Sequence, residues 1–263
     1  MQLQGKSIVV IGGTSGLGLS AARAFVRQGA QVIVAGRDPA KSEAAAAALG
    51  PNAAALVGDA SQPQLARQCI DSALQRFGRF DGLYHVAGGS GRRQGDGPLD
   101  QISDAGWAYT LNENLTSVFN SNRAAVQQFL KQGTGGAVLN MSSVLAFSPA
   151  PKHFSTQGYA ATKAAIIGLS RSAAAQYAGQ GIRFNVLAPA LVATPMSQRA
   201  QDDAAILQYI ATKQPLDGGR IGHPDDLDAA AIYFMSDDAR FVTGQVLAID
   251  GGWSVSEGQY DRV

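Results

Sequence analysis

Seven short runs of apolar, mostly β-branched or small residues recur along this chain, at Ser7–Ile11, Gln31–Ala35, Ala53–Val57, Gly82–Val86, Ala137–Met141, Arg183–Leu187 and Gln245–Ile249. A strand with one wet face alternates apolar and polar residues; these runs are too continuous for that and are expected in a parallel sheet covered on both sides. The segments between them carry helical patterns: Leu17–Gln28, Ala40–Leu49, Pro63–Phe77, about Asp104 to Lys131, Gly158–Gly179 and Asp225–Met235. Strand and helix alternate without a linker, which predicts one α/β domain over residues 1–263, a doubly wound seven-stranded parallel sheet with helices on both faces. Two stretches break the rhythm: the glycine-rich loop Gly88–Pro98, and Leu191–Pro224, with a short helical piece at roughly Asp203–Lys213. Both follow strand carboxyl ends, where open α/β sheets bind ligands. Residues 254–263 read as a tail, ordered against a neighbouring subunit or frayed.

Charge excludes several partners. Lys and Arg number 21 against 20 Asp and Glu in 263 residues, a formal net charge of +1. No electrostatic excess points to nucleic acid or an anionic membrane, so specificity must be local. The only cysteine, Cys69, has no intrachain disulfide partner, no His/Cys group has metal-ligand spacing, and no stretch approaches the roughly eighteen apolar residues of a membrane span. A soluble, cytoplasmic protein without a metal site is expected.

The first run leads into IGGTSGLG, with glycines at 12, 13, 16 and 18 and a helix opening near Leu17. Glycines let a backbone turn tightly against a pyrophosphate, and a helix N-terminus offers free N–H groups to its charge. Gly12, Thr14, Ser15, Gly16, Leu17 and Gly18 are the expected contacts, a tight structural turn being the alternative. The second run ends in VIVAGRD, where an acidic residue favours a free ribose 2′-hydroxyl and an arginine a 2′-phosphate. Gly36 followed by Arg37 favours NADP(H) over NAD(H); otherwise Arg37 is a solvated charge at a helix entry.

Tyr159 and Lys163, in YAATK, are four residues apart and share a helix face. A free phenol titrates near about 10, too high for a proton shuttle at neutrality, and a nearby ammonium lowers that value. Ser142 and Ser143 end the fifth run, where a hydroxyl can hydrogen-bond an oxygen that gains charge. Asn114 is a poor helix former inside a helical segment, which implies either a purpose or a local distortion.

IGGTSGLG, Asn114 in NENLTSVF, the serines of NMSSV, the YAATK pair, and NVLAPALVAT followed by IDGGW together resemble the short-chain dehydrogenase/reductase family, over about Lys6 to Trp253. That resemblance implies a Rossmann-like fold and hydride transfer between NADP(H) and a small carbonyl or secondary alcohol. It further implies Tyr159 as proton donor or acceptor, Lys163 as its partner and holder of the nicotinamide ribose, Ser143 as a support for the substrate oxygen, and Asn114 on a water-linked proton path. Pro189 and Thr194 would then meet the carboxamide, Asp59 the adenine, and the Ala87–Gly88 backbone the cofactor. A homotetramer or homodimer is implied as well, built on small-residue helix faces.

There are departures from the family pattern. Its usual Asn-Asn-Ala-Gly reads His85-Val86-Ala87-Gly88, so His85 is expected to be a buried, hydrogen-bonded residue. The segment between Ser143 and Tyr159 is longer than usual, which nominates Phe147, His153 and Phe154 for the substrate wall. Alternative functions are a 3-oxoacyl carrier-protein reductase, with Arg92 and Arg93 meeting an acidic partner, and a dinucleotide-binding regulator without turnover.

Overall fold

The computed structural model describes residues 1–257; residues 258–263, most of the expected tail, lie outside it. All seven runs form strands: β1 (Ser7–Ile11), β2 (Gln31–Gly36), β3 (Ala53–Val57), β4 (Gly82–His85), β5 (Gly136–Met141), β6 (Ile182–Pro189) and β7 (Val246–Ile249). They pair in the order β3-β2-β1-β4-β5-β6-β7, every pair parallel. The helices are α1 (Gly16–Arg27), α2 (Pro39–Leu49), α3 (Pro63–Phe77), α4 (Asp104–Leu111), α5 (Ser117–Gln132), α6 (Gln157–Tyr177), α7 (Gln198–Gln201), α8 (Ala204–Lys213) and α9 (Asp228–Met235).

Strand alternation explains the two layers. Ile8 and Val10 of β1 face the core under Phe25 of α1 and Phe234 of α9, whereas Val9 and Ile11 face the core under Ile70 of α3 and Phe129 of α5. Both faces are buried, so neither carries the polar residues of a solvated side. A third apolar cluster lies outside the sandwich, where Val144 and Ala150 meet Leu191, Ile206, Ile210 and Trp253. It seats the 191–224 excursion against the loop after β5, and the Trp253 indole N–H donates to the Ser148 carbonyl at 3.1 Å.

Strand order reverses between β1 and β4, the crevice position for a ligand in an open sheet. The two loops leaving these strands approach so closely that a Cβ on Gly12 would lie 2.6 Å from the Ala87 nitrogen. Two local departures matter for the site. The expected helix from Asp104 to Lys131 is interrupted by a π-helical segment, Asn112–Thr116. The expected helix from Asp225 begins at Asp228, after a tight 3₁₀ turn at Pro224–Leu227.

Candidate active site

A cleft of about 940 Å³ opens above the carboxyl ends of the strands. Of the residues expected to contact a cofactor, Gly12, Thr14, Ser15, Gly16, Leu17, Arg37, Asp59, Ala87, Gly88, Pro189 and Thr194 line it, as do Ser143, Tyr159 and Lys163. Gly18 does not: it is buried behind the turn, where a Cβ would lie 2.2 Å from the Gly12 carbonyl oxygen. Its contribution is to let α1 pack against the turn. Asn114 is also buried and off the cleft surface.

The α1 end fits a pyrophosphate on physical grounds. Ser15, its N-cap, makes no side-chain capping bond, and the first turn holds no acidic residue. The free N–H groups and positive end of the helix dipole therefore face the cleft uncompensated. Thr194 sits over this turn, 3.4 Å from where a Gly16 Cβ would be, and is fixed by a reciprocal capping box with Ser197.

At the far end of the turn, Arg37 is not free. Its guanidinium donates to Glu113 Oε2 at 3.1 Å, with the arginine side chain mostly exposed and the carboxylate mostly covered. Burial raises the Glu113 pKa, and Arg37 opposes the rise. An acidic residue beside Asn114 carried no signal in the sequence, because only the fold brings it to the end of β2.

The π-helical segment holds Asn114 in place. Its Nδ2 donates to the Gly89 carbonyl at 2.8 Å and to Thr110 O at 3.0 Å, and its Oδ1 accepts from Gly89 N at 3.1 Å. Purpose and distortion are thus one feature: the widened turn presents an amide that pins the loop after β4. A Cβ on Gly88 would lie 2.6 Å from Asn114 Oδ1 and 3.5 Å from Lys163 Nζ, so this glycine is the surface on which the two polar groups converge.

The two serines divide their tasks. Ser142 Oγ is buried and donates to the Lys163 carbonyl at 2.8 Å, tying β5 to α6. Ser143 Oγ accepts from Leu145 N at 3.2 Å and lines the cleft together with Tyr159.

Tyr159 and Lys163 do share a face of α6, with Nζ 5.4 Å from the phenol ring centroid. Lys163 is 3% exposed and donates to Met141 O at 2.9 Å. The expected direction of tuning is not what this geometry gives. Burial pushes the Tyr159 phenol up to about 12, and the group pulling it back is Ser143 rather than Lys163. Burial also brings Lys163 down to about 8. The physical reason is shared: the protein packed around both groups strips solvation from them, which disfavours both the phenolate and the ammonium.

Sequence reasoning missed Asp96. Its two carboxylate oxygens accept from Gly158 N at 2.9 Å and Tyr159 N at 2.8 Å, the second and third amides of α6, whose own N-cap Thr156 makes no side-chain cap. The glycine-rich loop therefore caps the helix that carries Tyr159. Among the aromatic and histidine candidates for the substrate wall, only Phe154 lines the cleft. His153 turns away to pack on Tyr209 at 4.9 Å, and Phe147 is exposed. His85 is buried as expected: Nδ1 lies 2.7 Å from Ser121 Oγ, and burial foremost, with Lys163, lowers its pKa to about 3.

The family model described as enoyl-(acyl carrier protein) reductase matches residues 12–254. The chain is 36% identical to a 2,5-dichloro-2,5-cyclohexadiene-1,4-diol dehydrogenase of Sphingobium indicum, over 96% of this chain and 98% of that one. Its structure resembles a short-chain type dehydrogenase/reductase from Mycobacterium ulcerans at 29% identity, with a TM-score of 0.89 covering 97% and 92% of the two chains. It also resembles a 3-ketoacyl-(acyl-carrier-protein) reductase from Brucella melitensis complexed with NADH, at 27% identity and TM-score 0.84, covering 96% and 100%. The chain belongs to the short-chain dehydrogenase/reductase family, nicotinamide-dinucleotide oxidoreductases that interconvert alcohols and carbonyls.

Proposed function

We propose that this enzyme interconverts a small carbonyl compound and its secondary alcohol with NADP(H) in preference to NAD(H), Tyr159 giving the proton in reduction and taking it in oxidation. One observation carries this reading: Tyr159 and Ser143 present two hydrogen-bonding hydroxyls in the same cleft as the uncapped end of α1. When bound, the nicotinamide supplies or accepts the hydride. The chain's own residues do the rest. Ser143 donates a hydrogen bond to the substrate oxygen as charge develops on it. With its pKa near 12, the phenol is protonated at neutral pH and so stands ready as an acid. Lys163, still charged at pH 7, holds its ammonium against the ring face and the strand end, where a ribose hydroxyl can receive it. Asn114 fixes the Gly88–Gly89 backbone beneath that ammonium.

Arg37 supports the NADP(H) preference, provided a 2′-phosphate replaces Glu113 as its partner. Thr14, whose side chain fills the space over Gly36, shapes that corner, and Asp59 flanks it. Pro189 and Thr194 border the nicotinamide end. A homotetramer or homodimer is supported by large apolar side chains on the outer faces of α4 and α5: Trp107, Phe119 and Leu130 are 41%, 45% and 48% exposed. The single cysteine is buried, which burial makes unreactive by raising its pKa to about 12, and a cytoplasmic setting suits that. No helix among the described residues is long and apolar enough to cross a membrane.

A panel of ketones and secondary alcohols assayed with both nicotinamide cofactors tests the proposal. It expects turnover with a higher kcat/KM for NADPH. Tight cofactor binding without turnover of any carbonyl or alcohol would instead favour the regulator, and turnover confined to carrier-bound 3-oxoacyl chains would favour the carrier-protein reductase.

A further inference from the structure

The cleft is far from electroneutral, although the whole chain nearly is. Six cationic side chains line it, Arg37, Lys41, Arg92, Arg93, Lys163 and Arg199, against two carboxylates, Asp59 and Glu113. Glu113 is paired with Arg37 at the end of β2, and Asp59 follows β3, so both acids belong to the adenine side. On the other side of the turn the lining holds arginines and no carboxylate.

Two of those arginines come from different walls. Arg92 lies in the loop between β4 and α4, on a single 3₁₀ turn bracketed by Gly91 and Gly95, both in the left-handed region at φ 65° and 97°. That turn packs tightly: a Cβ on Gly91 would lie 2.0 Å from Thr110 Oγ1. Arg199 stands on α7, which Gln201 Nε2 ties to the Thr194 carbonyl at 2.9 Å, and one of its donors reaches His153 O at 3.2 Å. Neither arginine makes an ion pair among the described residues, and Arg92 has no side-chain hydrogen bond there either. The nearest acid on the same loop, Asp96, spends both oxygens on α6.

Building on the oxidoreductase reading above, we propose that Arg92 and Arg199 anchor a carboxylate on the substrate, so that the enzyme acts on oxo acids or hydroxy acids. A half-buried guanidinium that makes no ion pair, in the same cleft as a second one, has its hydrogen-bond donors satisfied when a carboxylate bridges them. Burial and then the charge of Arg199 lower the Arg92 pKa, and the more weakly acting charge of Asp96 raises it, so the repulsion between the two arginines is only partly offset. The same cleft is also lined by Val144, Phe154, Leu191 and Trp253, which suit a short apolar spacer.

The test is calorimetric binding to the protein saturated with NADP⁺. The probes are straight-chain oxo acids with the carbonyl two, three, four or five carbons from the carboxylate, each beside its methyl ester. At least one acid is expected to bind about tenfold or more tightly than its ester, and Arg92→Gln and Arg199→Gln each to reduce that ratio to near one. The proposal is overturned if no acid outbinds its ester, or if the preference survives in both variants. It is also overturned, in favour of an acidic protein partner, if a carrier-bound 3-oxoacyl chain exceeds every free acid in kcat/KM and loses that advantage in both variants. Ester reduction by NADPH is followed in parallel: turnover without any acid preference removes the anchor but leaves the oxidoreductase reading standing.

Discussion

Burial moves the pKa values of Tyr159, Lys163 and His85: the phenol up to about 12, the ammonium down to about 8, the imidazole down to about 3. For His85 this has a measurable consequence. Between its ordinary 6.5 and about 3 the unfolded chain binds a proton that the folded chain refuses, so stability falls as pH drops below 6.5. At pH 5 the loss is about 2 kcal/mol. His85→Asn is expected to be less sensitive than the parent by that amount in urea titrations at pH 6.5 and pH 5; equal sensitivity contradicts it. Asp228, raised to about 6 chiefly by burial, works in the opposite direction but is common to both proteins. The Arg37–Glu113 pair yields a second prediction. Arg37→Ala should cut the ratio of NADPH to NADH kcat/KM by about tenfold or more, and Glu113→Gln should raise it severalfold by releasing the guanidinium. An unchanged ratio in Arg37→Ala would show that the 2′-phosphate is not read there. Tyr159 and Lys163 were legible in the sequence because their partnership is local, one helical turn. Glu113 was not, since the residue it pairs with lies 76 positions away.

At the scale of elements, the helix that carries Tyr159 owes its start to a loop. Asp96 reaches across 62 and 63 positions to cap α6, and no local pattern announces such a bond. Asp96→Ala leaves two amides unsatisfied and removes a charge from the positive end of the helix, so about 1–2 kcal/mol of stability should be lost. Because Tyr159 is one of the capped residues, kcat should fall with it, and Asp96→Asn should be intermediate in both. Denaturant titration and steady-state kinetics check this; full activity in Asp96→Ala would mean that α6 is positioned by packing alone. Strands and most helices were legible because hydrophobic periodicity is a local property. The π-helical turn at Asn112–Thr116 was legible only as an oddly placed asparagine, because its widening serves a bond to Gly89 on another loop. The loop after β5 showed its length but not its direction, which is set by Trp253 and α8 and leaves only Phe154 of the three aromatic and histidine candidates on the cleft.

For the molecule as a whole, the sheet supplies the crevice, and three peripheral pieces close it: the loop from β4, the loop from β5 and the 191–224 excursion. The strand count and parallel pairing follow from the seven apolar runs, whereas the charge asymmetry of the cleft depends on which loops meet and is invisible in a net charge of +1. Assembly belongs to this scale. Light scattering should give a dimer or tetramer, and Phe119→Glu should shift it toward smaller species. A monomeric parent protein would mean that the exposed side chains of α4 and α5 have another use. Everything proposed for the cleft depends on Tyr159 as the proton donor of a nicotinamide-dependent reduction. The most direct test of that role is Tyr159→Phe, followed in one experiment by NADPH binding through nucleotide fluorescence and by single-turnover oxidation of that NADPH with a ketone that the parent enzyme reduces. Near-normal binding and a loss of turnover of about a hundredfold or more are expected; binding and turnover that both match the parent enzyme would rule Tyr159 out as the donor.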